Sequence, residues 1–365
     1  MRIPLSGPDI VDSDIEAVVE VLRTPRLSLG PKLEEFEDCF TRYVGVPHAV
    51  ALSSGTAGLH LGLLALGIGE GDEVILPSFT FVAAANAVLH ARAVPAFVDI
   101  DARTLNLDPE KVERAITPRT RAILAVHTFG IPADMAELLA IARRHGLRVI
   151  EDACEALGAE YGGERVGGLA DLGVFAFYPN KPITTGEGGM VTTRDARIAD
   201  TIRALRNQGR RPQDGWLDQS LLGYNFRISE MNCALGIAQM RRIDEILDRR
   251  RAAAALYAEE LRDVPAVTLP LAAIENGNVS WFVFVVRVDN RDELARALAE
   301  RGIGYGKYFA PIHRQPLFAP YVNPAVDFRV TEKVSAQTLA LPFFTRITDE
   351  QIREVCRCVA EFGSR

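Results

Sequence analysis

Lysine is scarce in this chain. Of the 41 lysine and arginine residues only five are lysine: Lys32, Lys111, Lys181, Lys307 and Lys333. Where a positive charge alone suffices, the sequence uses arginine, which keeps its proton at any useful pH. A lysine amine can become a nucleophile in suitable surroundings, so each lysine is a candidate for chemistry. Cysteine is sparse too: Cys39, Cys154, Cys233, Cys356 and Cys358 are scattered and odd in number, which argues against a disulfide framework. Cys356 and Cys358 stand two apart, where a helix points them in different directions, and no Cys or His follows; no zinc site is expected. No apolar run reaches the roughly 18 residues needed to cross a bilayer. The opening "MRIPLSGPDI" has neither the basic start nor the apolar centre of a signal peptide. Together these absences lead to the expectation of a cytoplasmic protein without a membrane partner. A basic excess is also missing, and the net charge of −7 argues against nucleic acid as a partner.

What is present describes an ordinary globular chain. With 365 residues, 48% hydrophobic and 24% charged, it is long enough for one large domain with a smaller one attached. Between residues 48 and 193 short apolar β-branched runs alternate with helical patterns. The strand candidates are 49–53, 73–77, 94–100, 121–127, 147–152, 172–178 and 189–193. Such alternation predicts an α/β fold with a mostly parallel seven-stranded sheet between helices. The last run, "GMVTT", follows its predecessor too closely for a crossover helix and is expected to run antiparallel. A continuous helix is predicted over Ser229–Arg262, bridging two lobes. Beyond it "VSWFVFVVRV" reads as a strand, and "RDELARALAERG", "TEKVSAQTLALP" and "TDEQIREVCRCVAEFG" read as helices of a small C-terminal α/β domain. The expected division is 1–245, including the N-terminal arm, and 246–365.

In open sheets of this kind ligands bind beyond the carboxyl ends of the strands. The first strand is followed by Ser53, Ser54, Gly55 and Thr56 at a helix start, a ready site for a phosphate. The second is followed by Phe79 and Phe81, either of which can stack on a flat ring or fill the core. His127 follows the fourth and reads as structural; the fifth closes on Asp152, with Cys154 nearby as a space-filler. The sixth exits at Lys181, ahead of the glycines of "TTGEGG". A P-loop needs its glycines before the lysine, and a dinucleotide fingerprint needs a leading glycine that "SSGTAG" lacks. A lysine, a phosphate cup, an aromatic and a carboxylate on one sheet edge are together the requirements of pyridoxal phosphate.

The blocks "SSGTAGLHLGLLALGIGEGDEVILPSFTFVAAANAV", "IEDACEALGAEYGG", "FYPNKPITTGEGGMVTT", "LGYNFRISEMNCALGIAQM" and "YFAPIH" resemble nucleotide-sugar aminotransferases of the DegT–StrS type. That family has the aspartate-aminotransferase-like fold of the type I pyridoxal phosphate enzymes. The resemblance implies that Lys181 joins the cofactor's aldehyde and that Asp152 holds the ring nitrogen. It implies that Phe81 stacks on the ring and that Gly55 and Thr56 form the phosphate cup. Glu155 stands where the family commonly has a glutamine at the ring hydroxyl, and Asn180 where many members have a phosphate-binding serine; both are departures. By the same likeness Asn225 reaches the phosphate of a partner subunit's cofactor, which implies a homodimer with shared sites. Arg227 and His313 fall where the family approaches the sugar nucleotide. The implied reaction is transamination from glutamate, through pyridoxamine phosphate, to the ketone of a nucleotide-linked keto-deoxyhexose. Left open are a different keto acceptor such as a cyclitol and a non-catalytic regulator of the same fold. A related sugar dehydratase is a further alternative, although it would carry histidine at position 181.

Overall fold

The computed structural model describes residues 2–211, 215 and 218–363. It opens with α1 (Asp12–Leu22) and α2 (Pro31–Val44); α2 starts on Pro31 and stops at Gly45, whose φ of 81° only glycine adopts freely. Alternation then begins with β1 (His48–Leu52), α3 (Gly55–Ala65), β2 (Glu73–Pro77), α4 (Ala83–His90) and β3 (Val94–Val98). It continues with α5 (Pro109–Arg114), β4 (Thr120–Val126), α6 (Met135–His145) and β5 (Arg148–Asp152). A short ribbon, β6 (Glu160–Tyr161) and β7 (Glu164–Arg165), precedes the hairpin of β8 (Leu172–Ala176) and β9 (Gly189–Thr193). After α7 (Ala196–Arg206), α8 (Glu230–Met240) and α9 (Ile243–Glu260) lead to the C-terminal lobe. There β10 (Ala273–Ile274), β11 (Gly277–Asn278), β12 (Phe284–Arg287), α10 (Arg291–Glu300), α11 (Arg329–Gln337), β13 (Thr338–Leu341) and α12 (Asp349–Gly363) follow.

The expected architecture is observed. All seven strand runs join one sheet in the order β1-β9-β8-β5-β4-β2-β3. β9 is antiparallel to both neighbours, and the other pairs are parallel. Strands sandwiched between helices send alternate side chains into different cores. Val50 and Leu52 of β1 face α3, α4 and α7, whereas Ala49 and Ala51 face α2 and α8. Farther along the second face, Ile123 and Val149 pack on α6. Among the described residues no helix is long and apolar enough to cross a membrane.

Three expectations about the C-terminal third need correction. The helix predicted over 229–262 is two helices, broken at Arg241–Arg242. The break is held by the N-terminal arm: Arg242 donates to both the carboxylate and the carbonyl of Asp9 and, at 3.1 Å, to Asp14 Oδ2. Gln239 also reaches these two residues, donating to Asp9 O at 2.8 Å and Asp14 Oδ2 at 2.7 Å. The run "TEKVSAQTLALP" stops being helical at Gln337, because β13 supplies the antiparallel partner that β12 requires. β12 itself covers only four of the ten residues read as a strand. Its missing start, Trp281 and Phe282, has its carbonyls taken by Arg250 instead of a ladder partner.

Helix α9 spans two cores. Ile243 and Ile246 pack with the large sheet, while Ala253, Ala254 and Tyr257 pack with the C-terminal lobe. Ile3 of the N-terminal arm also lies in the C-terminal core, beside Ile303. Cys356 and Cys358 fill that same core.

Candidate active site

The carboxyl ends of β1, β2, β5 and β8 meet over a cavity of about 410 Å³. Helix α3 starts directly after β1, with Ser54 as its cap: the Ser54 hydroxyl accepts the Ala57 N–H at 3.1 Å. The first-turn N–H groups of Gly55 and Thr56 have no acceptor within a helix, and the positive end of the helix dipole is added to them. Both residues line the cavity. A Cβ on Gly55 would stand 2.7 Å from Ala176 Cβ and 3.0 Å from Cys154 Sγ, so only glycine lets the helix start this close to the sheet. The Cβ of any residue at Gly189 would meet the Ser54 carbonyl carbon at 2.4 Å.

Asp152, the last residue of β5, is buried in the cavity wall, and its Oδ1 accepts the Cys154 N–H at 3.1 Å. Lys181 sits in the tight loop between β8 and β9. That loop is closed by Phe177 N–H to Gly188 O (3.0 Å) and Thr185 N–H to Phe177 O (3.1 Å). From outside, the Asn232 amide of α8 donates to Thr185 O at 2.7 Å and Glu187 O at 2.8 Å. The loop is thus anchored to the large domain at both ends and in the middle. Lys181 Nζ stands 3.8 Å from Glu155 Oε1 and 3.8 Å from the centre of the Phe282 ring.

Glu155 is buried, and its Oε2 accepts the Phe129 N–H at 2.9 Å. Burial pushes its carboxyl above the ordinary range, against the opposing pull of Lys181. The stability consequence has a definite sign. A carboxyl whose folded pKa exceeds its unfolded one destabilises the fold progressively as pH rises from the unfolded value through the folded one. Glu155→Gln cannot ionise. In cofactor-free protein its melting temperature, relative to wild type, therefore rises as pH is raised from about 4.5 to 7. A difference that stays flat or falls over that range, read by circular dichroism, would contradict this burial effect.

The structure brings Gly55, Thr56, Phe81, Asp152, Glu155, Asn180 and Lys181 to one cavity. It also separates the two phenylalanines. Phe81 is 61% exposed at the cavity, while Phe79 is fully buried, edge-on to Phe129 and Phe309. His127 is structural, as read from the sequence. Its Nδ1 accepts the Ala133 N–H at 3.0 Å, so Nε2 carries the proton donated to Glu151 Oε2 at 3.1 Å.

His313, expected near the substrate, is not among the residues lining this cavity. It is buried with Nδ1 2.7 Å from Ser78 Oγ, Nε2 3.3 Å from Glu332 Oε1 and its ring stacked on Phe328. Burial lowers its pKa. Asn225 is exposed, Arg227 donates to Asn207 Oδ1 at 3.1 Å, and neither lines the cavity of its own chain. The segment between them is nevertheless tied to the site, since Ser53 N–H donates to Phe226 O at 2.9 Å.

Sequence reading missed the C-terminal lobe's share of the wall: Phe282, Tyr308 and Phe309. "VSWFVFVVRV" reads as core throughout, and no local signal marks which of its aromatics turns outward.

The model of the DegT/DnrJ/EryC1/StrS aminotransferase family matches residues 8–360. The chain belongs to that family. GDP-perosamine synthase of Caulobacter vibrioides is 41% identical over 363 residues, covering 97% of this chain and 96% of the relative. The solved structure of S. venezuelae DesV, in complex with a ketimine intermediate, superposes with a TM-score of 0.93 at 37% identity, covering 100% and 99% of the two chains. A putative sugar aminotransferase of Streptococcus pneumoniae, Spr1654 in its PMP form, gives a TM-score of 0.95 at 26% identity over 100% and 98%.

The residues of this aminotransferase fit a phosphorylated pyridine aldehyde. Asn180 Oδ1 is buried in the cavity without a hydrogen-bond partner, so this side-chain amide is free to turn and present its N–H donors to a ligand. The adjoining α3 terminus offers backbone donors for an anion. Asp152 offers a carboxylate for a protonated ring nitrogen, and Phe81 an exposed aromatic face at the opening.

Proposed function

We propose that this aminotransferase moves an amino group from glutamate to the ketone of a nucleotide-linked keto-deoxyhexose, yielding a nucleotide-activated amino sugar. The observation that carries the reaction is the meeting of Lys181, Asp152 and the α3 terminus in one cavity. The substrate class is supported by the full-length similarity to GDP-perosamine synthase. Pyridoxal phosphate is the cofactor; it supplies an aldehyde that joins amines and a ring that accepts the electrons released at the adjacent carbon.

The remaining work belongs to the chain. The N–H groups of Gly55 and Thr56 bind the phosphate, with the Asn180 amide turned to donate its Nδ2–H, and Phe81 covers the ring. Asp152 keeps the ring nitrogen protonated. Lys181 would hold the aldehyde; once released, its Nζ would take a proton from the donor's α-carbon and deliver it to the former aldehyde carbon, which lies one nitrogen away. Tyr308 and Phe309 close the far wall against water. Glutamate supplied with a panel of keto-sugar nucleotides, and product masses read by mass spectrometry, test the assignment. A nucleotide product heavier than its ketone by about one mass unit, the exchange of a C=O for a CH–NH2, supports it. Amination of free cyclitol ketones alone overturns the substrate class.

We further read Asn225 as serving the partner subunit: it is exposed, outside its own cavity, and on a segment bonded to the end of β1. Lys181→Ala and Asn225→Ala chains, unfolded together and reassociated in equal amounts, test this. Random pairing makes about half the dimers mixed, each with one intact site, so activity returns to about a quarter of wild type. Exchanged chains with no activity above the parents would assign Asn225 to its own subunit or to no site.

A further inference from the structure

Phe282 has no part in the reaction outlined above, yet the protein commits a buried cation to placing it. Arg250 is fully buried, and burial lowers its pKa to about 10. Its Nε donates to Trp281 O at 2.7 Å, its Nη2 to Phe282 O at 2.7 Å and its Nη1 to Thr345 Oγ1 at 3.0 Å. A guanidinium held by carbonyls and a hydroxyl, with no carboxylate among these partners, is an unfavourable arrangement that needs a compensating use. The two residues whose carbonyls it holds lie outside the β12 ladder, and the Phe282 ring lines the cavity.

There the ring lies under the amine of Lys181, 3.8 Å from its centre. On the other flank Glu155 Oε1 is 3.8 Å away, beyond hydrogen-bond reach. Other titratable groups around the amine are Asp152 and Cys154, with Tyr308 beyond Glu155. An amine that takes a proton from carbon and gives it back needs surroundings that favour the ammonium form. Those surroundings must not bind the proton themselves. The negative face of an aromatic ring meets both conditions: it attracts a cation and accepts no proton.

We infer that Phe282 is a positioning residue for amino-group transfer, its ring face holding the released Lys181 as an ammonium ion between the two proton transfers. The inference rests on reading Lys181 as the amine that carries the proton. The α-carbon's C–H bond breaks, its electron pair stays with the cofactor, and the proton becomes an N–H of Lys181. The same N–H bond then breaks as the proton returns to carbon. Phe282 exchanges nothing.

The test uses cofactor-free full-length protein. Trace acetic anhydride labels free amines at a series of pH values, and the extent at Lys181 is read by peptide mass spectrometry. In Phe282→Leu, labelling below the midpoint runs about two- to thirtyfold faster than in wild type, by the range of cation–π energies. The limiting rate at high pH stays the same, which separates a change of charge from a change of access. Pentafluorophenylalanine at position 282 keeps the shape and reverses the ring's charge distribution, so it gives the same result even where Phe282→Leu fails to fold. Phe282→Tyr tracks wild type. Curves that superimpose, or that differ only in the high-pH limit, overturn the inference. Borohydride reduction of the cofactor-loaded wild type tests the underlying reading separately. An adduct elsewhere than Lys181 overturns that reading, whereas an adduct on Lys181 with unmoved labelling overturns the role of Phe282 alone.

Discussion

Lys181→Arg gives a folded protein with no measurable transamination, a loss larger than the about 10²–10⁴-fold that proton transfer by a positioned side chain alone contributes. Arginine keeps the charge but offers neither an amine to join the aldehyde nor a base that can accept a proton. The loop is held by the hydrogen bonds around Phe177 and by Asn232, none of which involves the lysine side chain, so its shape survives the change. In wild type loaded with pyridoxal phosphate, borohydride fixes the cofactor to Nζ of Lys181, and a peptide map locates it. An adduct on Lys307 or Lys333 would end the assignment. So would a Lys181→Arg protein that still converts glutamate in a single turnover.

Asp152→Asn slows the same reaction while leaving the melting temperature near wild type. The amide oxygen can still accept the Cys154 N–H that now binds Oδ1, so the end of β5 is preserved. What is lost is a charge-assisted bond to the buried ring nitrogen, on the order of a few kcal/mol, or about 10²–10³ in rate. The loss falls on kcat rather than on glutamate binding. A variant with near wild-type kcat would reduce Asp152 to the cap of a strand.

The parts of the molecule that could be read in advance are those governed by local chemistry. Strand periodicity, the Ser54 cap and the brevity of the link before "GMVTT" together specified the sheet and its one antiparallel strand. Lys181 stood out because arginine replaces lysine almost everywhere else. What sequence reading missed depends on partners far along the chain. The helix break at Arg242 is made by Asp9 and Asp14, more than two hundred residues earlier. The aromatic wall of the cavity depends on Arg250 competing with a β-ladder for two carbonyls, a contest that leaves no trace in the periodicity of "VSWFVFVVRV". The packing of His313 outside the cavity was not legible for a similar reason. Ser78, Phe328 and Glu332 bury and engage it, and those neighbours come from distant segments.

The hairpin that carries Lys181 limits how the amine can travel. Had β8 and β9 been joined by a crossover helix, the lysine would ride on a segment able to shift as a unit. Here both strands are locked in the sheet, and Asn232 fastens the turn between them. The amine can therefore move only by rotation about the bonds of its own short aliphatic stem. In the proposed reaction it would swing like a tethered reagent between two carbons that a single nitrogen separates, and never diffuse away. Confinement of this kind presents a reactive group at effective concentrations of about 10⁵ M and above, far beyond any free amine in solution. One lysine can then serve as anchor at one moment and as proton carrier the next.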